Sequence, residues 1–211
     1  MKLITEYSFR DIVGHFVKVR FSKGRNFIDP EFEEFIAYVY IDTEAGMTLE
    51  IIGGYKDGRV FRDPTSSNKL RYSDDIVMEL YENPDAEMLE EAKFIEENYT
   101  PEWIGPVREN PVYDPYRDKA FPDDLLIPVH SLVEEEGELL NVSELLWVRP
   151  IILDDDKLLG ITIEPGKHFE QGTQVMIVRI TDGEYKISAM TFEMIKIIVE
   201  SDNPEGFFRQ M

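Results

Sequence analysis

Chemistry in this chain of 211 residues has to come from carboxylates, hydroxyls and three histidines, because it contains no cysteine. Thiolate nucleophiles, disulfides and Cys-type zinc sites are excluded at once. Asp154-Asp155-Asp156 opens like a calcium loop, in which carboxylates at alternate positions supply oxygen ligands. The pattern then fails. Glycine falls at the seventh position (Gly160), Leu158 replaces the fifth ligand, and Pro165 stands where a bidentate Glu is needed. The stretch reads as a solvated turn. Glu164, His168 and Glu170 precede a strand and could offer two carboxylates and one imidazole, but a lone histidine lacks the His-x-His partner of an imidazole-rich metal loop. Neither a metal nor a cofactor is expected.

Covalent and phosphate chemistry find no better footing. No serine stands in Gly-x-Ser-x-Gly, and His130-Ser131 are chain neighbours with no acid at a telling spacing. Gly53-Gly54-Tyr55-Lys56-Asp57-Gly58 lacks the dinucleotide spacing, and no Gly-Lys-Ser/Thr loop exists. His15 falls on the apolar face of a strand, where a hydrogen-bonded core or rim histidine is expected. No catalytic residue is assigned, although a glycosidase-like pair could lie among 43 acids.

The carboxylates themselves are the signal. The chain carries 43 Asp and Glu against 22 Lys and Arg, a net charge of −21. Such a charge repels nucleic acid and anionic lipid at long range and speeds encounter with basic proteins. It is also a common route to solubility. Its distribution is uneven. Residues 2–25 hold six basic and two acidic side chains, whereas residues 74–102 hold eleven acids and Lys93 as the single base. Glu134-Glu135-Glu136-Gly137-Glu138 forms a second acidic run.

Asn83-Pro84-Asp85 caps a helix whose buried stripe is expected to be Met88, Leu89, Ala92, Ile95 and Tyr99. At 100° per residue the opposite face gathers Glu87, Glu90, Phe94 and Glu97, with Asp74, Asp75, Glu79 and Glu82 extending the acid toward the N-terminal side. A phenylalanine among carboxylates either packs beneath another segment, such as the proline-rich stretch that follows, or anchors a basic partner. The bland reading of the acids is a solvated face pairing weakly with Lys18, Arg20 or Arg25. The eight residues form the candidate partner-binding surface.

Other elements follow from periodicity and turn chemistry. Residues 13–21 alternate as a half-buried strand. Asp29-Pro30-Glu31 starts a short helical turn toward Phe32, Phe35 and Ile36, after which Tyr38-Val39-Tyr40-Ile41 and residues 47–52 form strands. Asp57-Gly58 is a type I′ hairpin signal closing a meander over residues 37–62. Six of the twelve prolines lie between Pro101 and Pro128, interleaved with Trp103, Tyr113, Tyr116 and Phe121, which predicts an ordered strap. Strands are expected at residues 158–163, 175–180 and 185–189, the last two joined at Asp182-Gly183, followed by a helix capped by Thr191 and ended by Asn203-Pro204. The tail Gly206-Phe207-Phe208 is expected to tuck into a core. The order of strands, Asp-Gly turn, strand and helix recurs in the two halves, as an old internal duplication would leave it.

The fold class expected is α+β, with two small lobes, each an antiparallel meander with a helix on one face: an N-terminal lobe over residues 1–100, the strap over 101–128 and a C-terminal lobe over 129–211. No apolar run approaches a membrane span and the N-terminus has no leader pattern, so cytoplasmic location is expected, without membrane or direct nucleic-acid binding. The function expected is an acidic interaction protein that binds, and in the fullest form inhibits, a basic protein, of the immunity or anti-restriction type. The alternatives are a carboxylate-dependent, divalent-metal enzyme such as a hydrolase, and a structural or regulatory protein.

Overall fold

A computed structural model describes residues 1–22, 29, 31–62, 68–154, 157–179 and 186–200. The Asp182-Gly183 turn, the Asn203-Pro204 stop and the 206–208 tail lie outside these residues. The protein is α+β and divides into two compact units, Met1–Glu102 with Lys119–Pro122, and Trp103–Asp118 with the chain from Asp123 onward. No helix among the described residues is long and apolar enough to cross a membrane.

The first unit is built on β1 (Lys2–Leu3), α1 (Phe9–Ile12), β2 (Phe16–Phe21), β3 (Glu34–Asp42), β4 (Gly46–Lys56), β5 (Arg59–Phe61), β6 (Asn68–Arg71), β7 (Ile76–Leu80) and α2 (Ala86–Tyr99). The strands form an antiparallel sheet in the order β1-β7-β2-β3-β4-β5, with β6 alongside β4. Both faces are covered. Val17, Val19, Phe35, Val39 and Leu49 pack with Ile4 and Ile12 from the N-terminal segment, while Phe16, Ile36, Tyr38, Tyr40 and Ile52 pack under Met88, Ala92 and Ile95 of α2. A strand buried on both faces loses its alternation, which is why β3 reads as a continuous apolar run.

Three expectations are corrected here. The short turn at Asp29 is there, its carboxylate accepting the Glu31 amide at 2.8 Å, but β3 starts already at Glu34, earlier than residue 37 where the meander is expected to begin. His15 is exposed, in the turn before β2, because the strand starts only at Phe16. Leu89 is 54% exposed, the buried stripe of α2 being narrower than the sequence predicts. The Asp57-Gly58 turn appears as expected, with φ of 51° and 78°.

The second unit comprises α3 (Gly105–Glu109), 3-10 turns at Glu102–Ile104 and Pro111–Tyr116, then β8 (Leu125–Glu135), β9 (Glu138–Asp154), β10 (Lys157–Thr162), β11 (Gln174–Arg179), β12 (Ile187–Thr191) and α4 (Phe192–Glu200). The strands meander antiparallel and close into a barrel when β12 pairs with β8. With five strands of alternating direction the first and last run the same way, so the closing pair is parallel. Leu125, Ile127, Val129, Val148, Val175, Ile187 and Ala189 fill the interior, with Trp103, Tyr113 and Tyr116 packed against that core. Outside the barrel, Met194 and Ile198 of α4 cover Met190. The Thr191 hydroxyl accepts the Met194 amide at 3.4 Å, the cap expected for this helix.

Candidate functional site

The helix α2 owes its position to both its ends and its inner face. Asp85 caps it, accepting the Met88 amide at 2.9 Å and the Arg62 guanidinium at 3.0 Å. Toward the other end, the Tyr38 hydroxyl donates to Glu96, and Lys69 donates to the Tyr99 hydroxyl at 2.9 Å while its ammonium lies 4.2 Å from that ring's centroid. Beneath, Glu50 is 7% exposed, paired with Lys69 at 3.3 Å and accepting from the Tyr40 hydroxyl at 3.1 Å. Burial pushes Tyr40 up to about 12, and burial together with Glu96 pushes Tyr38 higher still. Both phenols therefore stay protonated and donating at neutral pH. The sequence offered no sign of this network, because it depends on register: Glu50 stands opposite Tyr38 on one side and Lys69 on the other.

With the inner face fixed, the outer face presents Glu87, Glu90, Phe94 and Glu97, all exposed. The Phe94 ring is 65% exposed, open to solvent among the carboxylates. Glu87 pairs with Arg62 at 3.1 Å and Glu97 with Lys93 at 3.9 Å, whereas Glu90 has no ion pair among the described residues. Exposed pairs of this kind contribute only about 0–1 kcal/mol.

The remaining four candidates sit on other elements. Glu79 lies in β7 and is engaged by Lys18 at 2.7 Å and by the N-terminal ammonium at 3.1 Å, and the bond from Lys18 holds its carboxyl below the usual carboxylate range. Lys18 also reaches Glu34 at 3.6 Å. Asp75 accepts the Ser73 hydroxyl in the turn before β7, and its carbonyl accepts the Ser22 amide at 2.7 Å. Asp74 and Glu82 are exposed. Glu79 and Asp75 thus hold the sheet, and the exposed group on α2 is the contiguous part of the surface.

In the second unit three acids serve the scaffold. Asp123 receives two bonds from Arg108, at 2.9 and 2.7 Å, and Asp124 two from Arg149, at 2.7 and 2.8 Å. Glu144 accepts the amides of Lys167 and His168, each at 2.7 Å, and so folds down the loop carrying Glu164, His168 and Glu170. Among the described residues no three His, Asp or Glu side chains converge as metal ligands. In the first unit an open cavity of about 220 Å³ is lined by Asp29, Phe32, Phe35 and Phe61 with Arg62, an aromatic wall bearing one acid and one base.

His130 is 6% exposed on the outer wall of the barrel, and its Nδ1, like the Ser188 hydroxyl, has no hydrogen-bond partner among the described residues. Burial holds its pKa below the usual imidazole value. Above about pH 6.5 the ring is neutral in folded and unfolded chains alike; below it, the unfolded chain takes up a proton that the folded chain refuses, so stability falls. The slope due to this ring is at most about 1.4 kcal/mol per pH unit. Urea unfolding at pH 7.5 and 5.5 should show the native chain losing more stability on acidification than His130→Leu. Equal losses would mean that the ring protonates in place.

Comparison with protein-family models, with curated proteins and with solved structures yields no match, so the functional reading rests on the residues themselves.

Proposed function

We propose that the protein is an acidic interaction protein of the cytoplasm whose α2 face receives, and thereby blocks, a basic protein partner, as an immunity or anti-restriction inhibitor does. The observation that carries this reading is the Phe94 ring, 65% exposed among Glu87, Glu90 and Glu97 on a helix pinned from behind. Carboxylates alone serve solubility; an aromatic anchor inside a charged rim is the anatomy of an interface hot spot. The net charge of −21 supports a basic partner and disfavours nucleic acid and anionic membrane.

The test is affinity capture from the source cell with the native chain, Phe94→Ala, and the triple variant Glu87→Lys, Glu90→Lys, Glu97→Lys. These positions are exposed, so all three proteins should remain folded at the capture temperature, as circular dichroism would show. Capture of one basic protein should weaken steeply from 50 to 500 mM salt, fall about 30-fold with Phe94→Ala, and vanish with the triple variant. Capture indifferent to salt and to both variants would leave the acids with no task beyond solubility.

A further inference from the structure

The second unit carries a feature that the α2 reading does not use. Strands β8 and β9 form a long hairpin, paired from Leu125–Val148 out to Glu135–Glu138 and closed by Glu136 and Gly137 with φ of 54° and 85°. Among the described residues the neighbouring strands stop short of its tip: β12 meets β8 at Val129 and His130, and β10 meets β9 from Val148 onward. Trp147 turns its carbonyl away from β8, to the Ile163 amide at 3.0 Å. Backbone direction alternates along an antiparallel strand, so Leu145, Ser143, Asn141 and Leu139 point their N–H and C=O groups to that same side. Those groups have no partner among the described residues. Among the described residues the outer edge of β9 from Leu139 to Leu145 is therefore an open strand edge about 20 Å long.

Its side chains describe what would pair there. On one face lie Leu139 and Leu145, 61% and 48% exposed. On the other face Glu138 stands opposite Glu135, and beside them a concavity of about 470 Å³ is lined by Glu135, Glu136, Glu138 and Leu140. Three carboxylates with one leucine match the ammonium and the apolar stem of a lysine. Between Leu125 and Val148 there is no Lys or Arg. A second copy of the chain would bring a further net charge of −21 to the same edge. Charges at an exposed edge also serve to prevent indiscriminate pairing, and this set does so while leaving the edge open to a strand of opposite sign.

We infer that the β9 edge binds an extended basic segment of a partner protein by strand addition, with alternate apolar side chains on Leu139 and Leu145 and alternate lysines or arginines along Glu138, Glu135 and Glu136. Main-chain bonds supply affinity and the alternating side chains supply selectivity. The inference is independent of α2.

The probe is a fluorescent, amide-capped heptapeptide of alternating lysine and valine, titrated with the full chain by anisotropy at 50 mM salt. Saturable binding is expected, with amide shifts confined to the β8–β9 hairpin. N-methylation of alternate peptide amides, in whichever frame faces the edge, should weaken binding at least tenfold without touching the protein. Ser143→Pro, at a position whose N–H points outward, should do the same while the melting temperature holds. The triple α2 charge reversal should bind the peptide as the native chain does. Equal affinity for both N-methylated frames means attraction by charge alone and overturns the proposal. So does equal affinity for a glutamate–valine peptide, a loss caused by the α2 reversals, or sedimentation showing a dimer that Ser143→Pro dissolves, since the occupant would then be a second copy.

Discussion

Arg149→Leu should destabilise the second unit by about 3–5 kcal/mol at neutral pH, the largest effect expected of a single side chain here. Asp124 is 2% exposed, and burial raises its pKa despite the two bonds from Arg149. The guanidinium therefore offsets the desolvation of the carboxylate only in part. Removing it leaves a buried charge without its main partner, and Asp123 beside it adds repulsion. The carboxyl of the variant would take up a proton in the folded state at a higher pH than when unfolded. The penalty is then full at neutral pH and shrinks as pH falls through that raised value. Urea unfolding at pH 7.5 and pH 5 should show this narrowing. The double variant Arg149→Leu, Asp124→Leu should recover much of the loss, because the costly object is the orphaned charge. A pH-independent loss, unrelieved in the double variant, would point instead to lost packing of the arginine stem.

The second large effect is expected at a glycine. Gly46 begins β4 with φ of +76°, and a Cβ placed there would stand 2.3 Å from the Ala120 carbonyl oxygen and 2.8 Å from the Phe121 ring. The close approach is fixed by the Met47 amide, which donates to that same carbonyl at 2.7 Å. Gly46→Ala thus meets both left-handed strain, about 1–2 kcal/mol, and a clash with backbone that cannot rotate aside, about 1–3 kcal/mol more. Gly58 is the matched control, with φ of +78° and nothing within 4 Å of an added Cβ. Gly58→Ala should cost only the strain. Hydrogen exchange of the β3–β4 amides should separate the two by about 1–3 kcal/mol. Equal costs would mean that residues 119–122 shift aside freely.

How far the sequence could be read depended on whether the deciding contact was local. The caps of α2 and α4 and the Asp57-Gly58 turn were legible because each is settled within a few residues. Leu89 was misplaced because the 100° periodicity fixes a direction on the helix without fixing how wide the covering sheet is. His15 was misplaced by extending an alternation three residues beyond the strand. Long-range register hid the rest. Nothing local announces that β9 leaves β8 for β10 at Val148, that β12 closes onto β8, or that Tyr40, Glu50 and Lys69 stand side by side across three strands. The Phe94 candidate was visible as an anomaly in a polar pattern, whereas the open edge of β9 becomes visible only once every pairing in the barrel is known.

The interlaced boundaries of the two units bear on how the chain is made. The sheet of the first unit needs Lys119–Pro122, whose Ala120 carbonyl caps the start of β4, yet Trp103–Asp118 belong to the second unit and emerge from the ribosome earlier. The stretch Trp103–Asp118 is thus made before the last piece of the first unit and before the strands it packs against. No single cut in the gene separates the two without leaving one of them short of a piece.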